Sequence, residues 1–453
     1  VSAQQFDVFV IGAGQAAWPL LNGLSGKGMR LALAEKKQFG GSCLNFGCTP
    51  SKAVIESARV AHLARRGHEF GIDIESVQPN FPLVMDQARK ILAHSVSGLA
   101  EGFESMQDLQ VFRSHARFLG PTSDGYEIGI GTQTVIARHV VIDSGTRTQV
   151  PPIEGLDQIS YMDTENWIDR SELPNRLAIL GGGYIAVEMS QFFRRMGSEV
   201  TVIERAPSLL GHEDQDVSAA IKDVLEGEGI KIHVGKRILS VHPGAAGTEI
   251  VWDDGQVVAD ELLVATGRRA NTDELGLEKI GIEVKDNGII QVDEHLRTSA
   301  PGVFAVGDIR GGGMFTSTAW DDGRIVLGVL TDDLSRTTDR VVPYAVFIDP
   351  ELGRVGLTER EATEQGKRFK VNRFEMAHNG RNQEARETTG FVKLLIESDT
   401  DQVLGAAVFG AQAAETSQLL AVLMAAKAPA SVIRDGVVTH PTYSEAIQSA
   451  LLP

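Results

Sequence analysis

The chain has 453 residues, 42% hydrophobic and 23% charged, with a formal net charge of −17. That length supports about three domains, each with its own core, and no apolar run approaches the roughly 18 residues a membrane span needs. The negative balance opposes docking on nucleic-acid phosphates or anionic lipid, so small-molecule chemistry without nucleic-acid or membrane partners is the expected class. Nothing at the N-terminus reads as a secretory leader, and the expected compartment is the cytoplasm. Glycine supplies 48 residues, above the usual roughly 7%, which points to tight turns or cofactor loops.

Phe6-Asp7-Val8-Phe9-Val10-Ile11 is a short apolar run of the kind that forms a buried parallel strand, and Gly12-Ala13-Gly14 ends it. The pattern then predicts a helix to about Leu24, a close near Gly26 to Gly28, and a second strand from Met29 to Ala34 that finishes at Glu35. In Gly12-x-Gly14-x-x-Ala17 the first glycine permits the turn and the second lets backbone approach a pyrophosphate. The small third residue lets helix pack on strand. The pyrophosphate would sit on the helix N-terminus, and Glu35 would accept ribose hydroxyls.

Cys43 and Cys48, the chain's two cysteines, lie in Gly40-Gly41-Ser42-Cys43-Leu44-Asn45-Phe46-Gly47-Cys48-Thr49-Pro50-Ser51-Lys52. They are too few for a disulfide framework and cannot alone complete a four-ligand zinc site, so no metal centre is expected. If a helix begins within this stretch, both sulfurs share one face, and its dipole together with Lys52 favours thiolate. A dithiol that cycles with a disulfide follows; the plainer alternative is a pair of buried small hydrophobes.

Val140-Val141-Ile142-Asp143-Ser144-Gly145-Thr146, followed by Pro151-Pro152, marks an exit from the first domain near residue 150. The opening pattern then returns: Leu177 to Leu180 as strand, Gly181-x-Gly183-x-x-Ala186 as turn, a helix to about Met196, and a strand Glu199 to Ile203 ending at Glu204. Each terminal glutamate falls 23 positions after the first glycine of its turn, so two dinucleotide sites are expected. Glu204 should accept from a 2′-hydroxyl and repel a 2′-phosphate, which favours NADH over NADPH, although an arginine at 205 could turn toward a phosphate. Glu261 to Gly267 and Val303 to Asp308 repeat the ending of strand followed by glycine and should rejoin the sheets already begun. From about Val341 the alternation of strands and helices carries no glycine fingerprint and predicts a separate C-terminal domain.

The cysteine segment, the two glycine fingerprints and the run His440-Pro441-Thr442-Tyr443-Ser444-Glu445 together resemble the class I pyridine nucleotide-disulfide oxidoreductases, which include dihydrolipoamide dehydrogenase, glutathione reductase and mercuric reductase. The resemblance covers nearly the whole chain. It implies an α/β fold of two Rossmann-like dinucleotide-binding domains, for FAD and NAD(P), plus a C-terminal α+β dimerisation domain. The implied divisions are an FAD-binding domain at 1–149, an NAD(P)-binding domain at 150–269, a central domain completing the FAD site at 270–339, and a dimerisation domain at 340–453.

By the same resemblance Cys48 faces the flavin and Cys43 attacks substrate. Lys52 lies against the flavin and pairs with Glu188, and Asp308 binds the flavin's sugar-alcohol chain. Gly41, Ser42, Thr146 and Gly267 are counted among the cofactor-binding residues, and the helix starting between Phe315 and Thr318 points its positive end at the flavin pyrimidine edge. His440 with Glu445 forms an acid–base pair serving the other subunit of a homodimer. The implied activity passes electrons from NADH or NADPH through FAD to the Cys43–Cys48 disulfide and on to a small-molecule disulfide.

No second cysteine pair follows near the C-terminus, unlike mercuric reductases and large thioredoxin reductases. The stretch from Thr316 to Arg324 also departs from dihydrolipoamide dehydrogenase, which leaves the acceptor open. Trp320-Asp321-Asp322 and Val342 to Phe347 look similar to the bacterial reactive-chlorine-resistance flavoproteins, and so raise reduction of Cu(II) or Hg(II) as an alternative. The two adjacent aspartates are themselves read as a solvated helix face. An alternative of another class is a flavin and dithiol redox sensor or a subunit of a larger complex.

Overall fold

A computed structural model describes residues 3–452. The N-terminal apolar run forms the strand Gln4–Ile11, which pairs in parallel with Leu31–Ala34 on one edge and with Gln133–Ile142 on the other. Ile11 lies opposite both Ala34 and Ile142. Gly12, Glu35 and Asp143 therefore emerge side by side at the carboxyl edge of the sheet, where open parallel sheets bind ligands. Leu109–Phe112 extends this sheet beyond Leu31–Ala34, and the antiparallel strands Ala116–Thr122 and Gly125–Ile130 extend the opposite side. Much later in the chain Val303–Ala305 returns to pair with Gln133–Ile142, as the sequence predicts, and delivers Asp308 to the same edge.

A second parallel sheet has the order Lys231–His233, Glu199–Ile203, Arg176–Leu180 and Glu261–Val264. Leu180 lies opposite Ile203 and Val264, so Gly181 and Glu204 share the carboxyl edge here too. Thr146–Thr148 and Arg268–Ala270 run antiparallel as a two-stranded ribbon where the chain leaves and re-enters the first unit. The C-terminal part is a five-stranded antiparallel sheet in the order Tyr344–Val346, Glu351–Gly356, Val403–Gly410, Phe391–Glu397, Phe369–Glu375. It packs against the helices Ala413–Ala425 and Glu445–Leu451. Among the described residues no helix is long and apolar enough to cross a membrane.

The helix that matters most for the site is Cys48–Arg65, which lies against Phe81–Glu104 and Tyr184–Met196. Its Val54, Ala58 and Ala61 join Phe81, Met85, Phe192, Phe193 and Phe409 in one apolar core spanning all three parts of the chain. The expectation of a solvated aspartate pair fails at Asp322. This side chain is fully buried, accepts the Gly307 N–H at 2.9 Å, and is paired with Arg310 and Arg340. The helix Thr316–Leu330 turns Asp322 inward toward the Gly307–Arg310 turn, and only Asp321 takes the outer, partly exposed position.

Phe193 is fully buried against Phe192 at 4.9 Å and Phe81 at 6.0 Å between ring centroids. Phe193→Ala should lower stability by about 3–5 kcal/mol, seen as a drop in urea midpoint. An unchanged midpoint would mean that these helices do not share a tightly packed core.

Candidate functional site

One continuous cleft of about 1330 Å³ runs from Gly12, Gly14 and Glu35 past Gly41, Thr146 and Asp308 to Cys43, Cys48, Lys52 and Tyr344. Backbone forms much of its inner end. Gly12 has φ +99°, and a Cβ there would come within 2.2 Å of the Asp143 carbonyl oxygen; one on Gly14 would meet the Asp143 carboxylate at 2.6 Å. Ala17 is fully buried at the start of the helix Ala17–Leu24 and donates its N–H to Asp143 at 3.1 Å. Glu35 accepts the Ala13 N–H at 2.9 Å and the Lys37 N–H at 2.7 Å, which fixes its carboxylate beside the loop.

Farther along, the Thr146 hydroxyl donates to Asp308 at 3.1 Å and accepts from Arg268 Nε at 2.6 Å. Burial raises the Asp308 carboxyl above its ordinary range, opposed by Arg268 and by the Thr146 hydrogen bond. Bare backbone at one end, and carboxylates presented to an elongated cleft, suit a dinucleotide the length of FAD.

The cysteines occupy two helices rather than one, which corrects the shared-face expectation. Cys43 lies in the short helix Gly41–Asn45, whereas Cys48 opens the helix Cys48–Arg65. Phe46 and Gly47 break the path: both of their N–H groups turn back to the Ser42 carbonyl, at 3.1 and 2.6 Å. Asn45 braces the first helix through Phe39 and Gly41 carbonyls, and the Phe46 carbonyl accepts from Trp167 Nε1 at 2.8 Å. The break still leaves the sulfurs close enough for each to shift the other's thiol, in opposite directions.

Cys48 sits at the N-terminus of its own helix and 3.3 Å from the Thr316 hydroxyl, which opens the helix Thr316–Leu330. The hydrogen bond from Cys43 is the main force lowering the Cys48 thiol to about 6. Thr316 and Lys52 reinforce it, while burial opposes it. Cys43 moves the opposite way, raised above the ordinary thiol range first by its hydrogen bond to Cys48 and then by partial burial.

Lys52, one helical turn after Cys48, reaches Glu188 Oε2 at 2.8 Å and Oε1 at 3.1 Å. Glu188 is buried on the helix Tyr184–Met196 and also accepts the Phe347 N–H at 2.8 Å. The Phe347 ring lies 4.7 Å from Lys52 Nζ, close enough for a cation–π contact.

The remaining residues lie elsewhere. Gly181, Gly183 and the buried Ala186 form the second glycine turn, and Glu204 accepts the Ala206 N–H at 2.5 Å beside exposed Arg205. Gly267 accepts the Gln149 N–H next to the ribbon. His440 Nδ1 is 2.9 Å from Glu445, whose other oxygen accepts the Thr442 N–H at 2.7 Å. The Thr442 N–H, then the imidazole, hold the Glu445 carboxyl below its ordinary range. Neither His440 nor Glu445 lines the cleft, and the His440 side chain is 76% exposed.

The family model for pyridine nucleotide-disulphide oxidoreductases matches residues 6–323, and that for the family's dimerisation domain matches residues 342–451. The chain is 32% identical over 448 residues to the probable pyridine nucleotide-disulfide oxidoreductase RclA of Escherichia coli, covering 98% of both. It is 29% identical over 465 residues to a dihydrolipoyl dehydrogenase of Cupriavidus necator, covering 99% of this chain and 98% of the other. A solved Cu(II) complex of the HOCl-induced flavoprotein disulfide reductase RclA from Escherichia coli matches with a TM-score of 0.89 at 30% identity, covering 98% of each chain. The chain belongs to the pyridine nucleotide-disulphide oxidoreductases. It is an FAD-dependent NAD(P)H oxidoreductase acting on a disulfide substrate, with two Rossmann-like domains and a C-terminal dimerisation domain.

Sequence reasoning gave no role to Thr316, Phe347 or Asp143 at this oxidoreductase's cleft. Asp143 carried a readable signal, a carboxylate ending an apolar strand that should meet a glycine turn; burial raises it well above the carboxylate range. Thr316 and Phe347 act across 268 residues and through a backbone N–H, and had no local signal. In the reduced protein the thiolate ultraviolet absorbance should titrate near pH 6, and Lys52→Met should move that midpoint upward. A midpoint in the ordinary thiol range for both proteins would refute the electrostatic account of Cys48.

Proposed function

We propose that Cys48 is the thiolate facing the flavin, Cys43 the nucleophile toward the substrate disulfide, and Lys52 the cation that holds charge beside both. The observation that carries this reading is the Lys52–Glu188 pair at 2.8 Å, one turn from Cys48 in a cleft where two helix N-termini meet. FAD, when bound, supplies the two-electron relay between nicotinamide and disulfide. Gly12, Gly14 and the start of Ala17–Leu24 would hold its pyrophosphate, with Gly41 and Ser42 beside them. Glu35 would hold its ribose, Thr146 and Asp308 its sugar-alcohol chain, and the N-terminus of Thr316–Leu330 its pyrimidine edge.

The chemistry at sulfur follows from the two opposite thiol shifts. Cys48 is ionised at neutral pH, while Cys43 keeps its proton. Attack on a substrate disulfide requires the Cys43 thiolate, so a base must remove that proton. Within one chain His440 stays outside the cleft, and the partner subunit's His440 is the base in this reading, with its tautomer set by Glu445. The exposed Leu419, Val422, Val432 and Val437 surround an apolar groove of about 410 Å³ next to Ser444 and Ile447, the type of surface a homodimer covers. Glu204 favours NADH, because its carboxylate would accept from a 2′-hydroxyl and repel a 2′-phosphate. A reducing compartment, the cytoplasm, suits a dithiol that must be returned to its reduced form.

A second reading, reduction of Cu(II) as a substrate ion, draws on the likeness to the RclA complex and on a thiolate pair suited to the softer Cu(I) product. Steady-state oxidation of NADH and NADPH against lipoamide, glutathione disulfide, Hg(II) and Cu(II) separates these readings. Disulfide turnover above oxidase background supports the first, and turnover confined to a metal ion supports the second. A dithiol that oxidises without cycling indicates a sensor. Cys43→Ala should abolish disulfide turnover and leave NADH oxidation by a dye intact; loss of both would make Cys43 part of the flavin site itself.

A further inference from the structure

We propose that Glu387 is a positioning residue that ties the histidine-bearing loop to the outer end of the dithiol helix. The proposal rests on the reading of His440 as the base for the partner's site. Arg59 lies on the helix Cys48–Arg65, eleven residues past Cys48 and therefore about 16 Å along the axis. Its Nη2 meets Glu387 Oε1 at 3.0 Å, and the Tyr443 hydroxyl donates to Glu387 Oε2 at 3.3 Å. One carboxylate thus joins the helix that begins at Cys48 to the segment between His440 and Glu445.

The carboxylate is built into its place. Its side chain is 12% exposed. Its N–H donates to the Asn382 carbonyl at 2.9 Å, and the fully buried Asn382 side chain returns a bond to the Glu387 carbonyl at 2.8 Å. Asn379 donates to the Thr442 carbonyl at 3.3 Å, and Arg381 lies 5.7 Å from the Tyr443 ring centroid. Tyr443 is therefore held on two sides while Thr442 donates to Glu445. Burial, then the nearby Glu387 charge, raises the Tyr443 phenol, so it remains a hydrogen-bond donor.

In the dimer this arrangement ties the base offered to one site to the dithiol helix of the other. Glu387 itself touches neither cysteine nor imidazole, so its effect must pass through the placement of His440. A displacement near 1 Å at a reacting group can lower rates by about a hundredfold. Glu387→Ala should then lower NADH-dependent turnover of hydroxyethyl disulfide by roughly ten- to a hundredfold, with dye reduction unchanged. Tyr443→Phe, a smaller perturbation, should move turnover in the same direction, and Glu387→Gln, which keeps an acceptor for Tyr443, should restore most of it.

The decisive measurement is a double-mutant cycle on the holoenzyme. If Glu387 acts through the histidine, Glu387→Ala adds no further loss in a His440→Gln background. Parental turnover in Glu387→Ala and Tyr443→Phe beside an impaired His440→Gln overturns the tie alone. A loss that adds to that of His440→Gln, or one shared by dye reduction, also overturns it. Parental turnover in His440→Gln overturns both the histidine assignment and the tie.

Discussion

The cleft depends on keeping positive charge next to sulfur. A carboxylate removed from water is costly unless a cation faces it and further hydrogen bonds occupy its oxygens. Glu188 meets both conditions: it chelates Lys52 with two oxygens and receives the Phe347 N–H. Three separate stretches of chain meet there, the helix of Cys48, the helix after the second glycine turn, and the segment after Tyr344–Val346. The redox pair is thereby an assembly of the whole fold rather than a property of the cysteine loop.

The duplicated units were legible because each buried parallel strand is a nearly unbroken apolar run, and each run ends on glycine with a glutamate at one fixed offset. The register explains why that offset recurs. Ile11 opposes Ala34 just as Leu180 opposes Ile203, so the residue after each second strand, Glu35 or Glu204, must arrive beside its own turn. Both glutamates then accept nearby backbone N–H groups. The cysteine segment was legible because both cysteines of the chain fall beside one such unit.

What stayed hidden was set by contacts remote in sequence. The break at Phe46 and Gly47 was signalled locally by Gly47 and by Pro50 in the first turn of the second helix, but the bond from Trp167 that helps hold it comes from another unit and was not. Asp321 and Asp322 are adjacent letters with opposite fates, because a helical step of about 100° turns one toward the Gly307 backbone and leaves the other near the surface. Arg340, which completes the Asp322 pairing, comes from the stretch leading into the C-terminal sheet. The Gly307–Arg310 turn and the third unit are thus braced by one carboxylate that composition could only suggest was hydrated.

The ribbon of Thr146–Thr148 and Arg268–Ala270 is the place where the polypeptide passes twice between the nucleotide units. A single crossing behaves as a swivel, free to twist about its own axis. Two crossings laced by a backbone ladder act as a strap, which bends across its width but resists torsion and sliding. Arg268 on one strand and Thr146 on the other also bond to each other and reach toward Asp308. The strap is thereby anchored at Asp308, on the wall of the first cleft, so the joint between the two units and that wall form one connected piece.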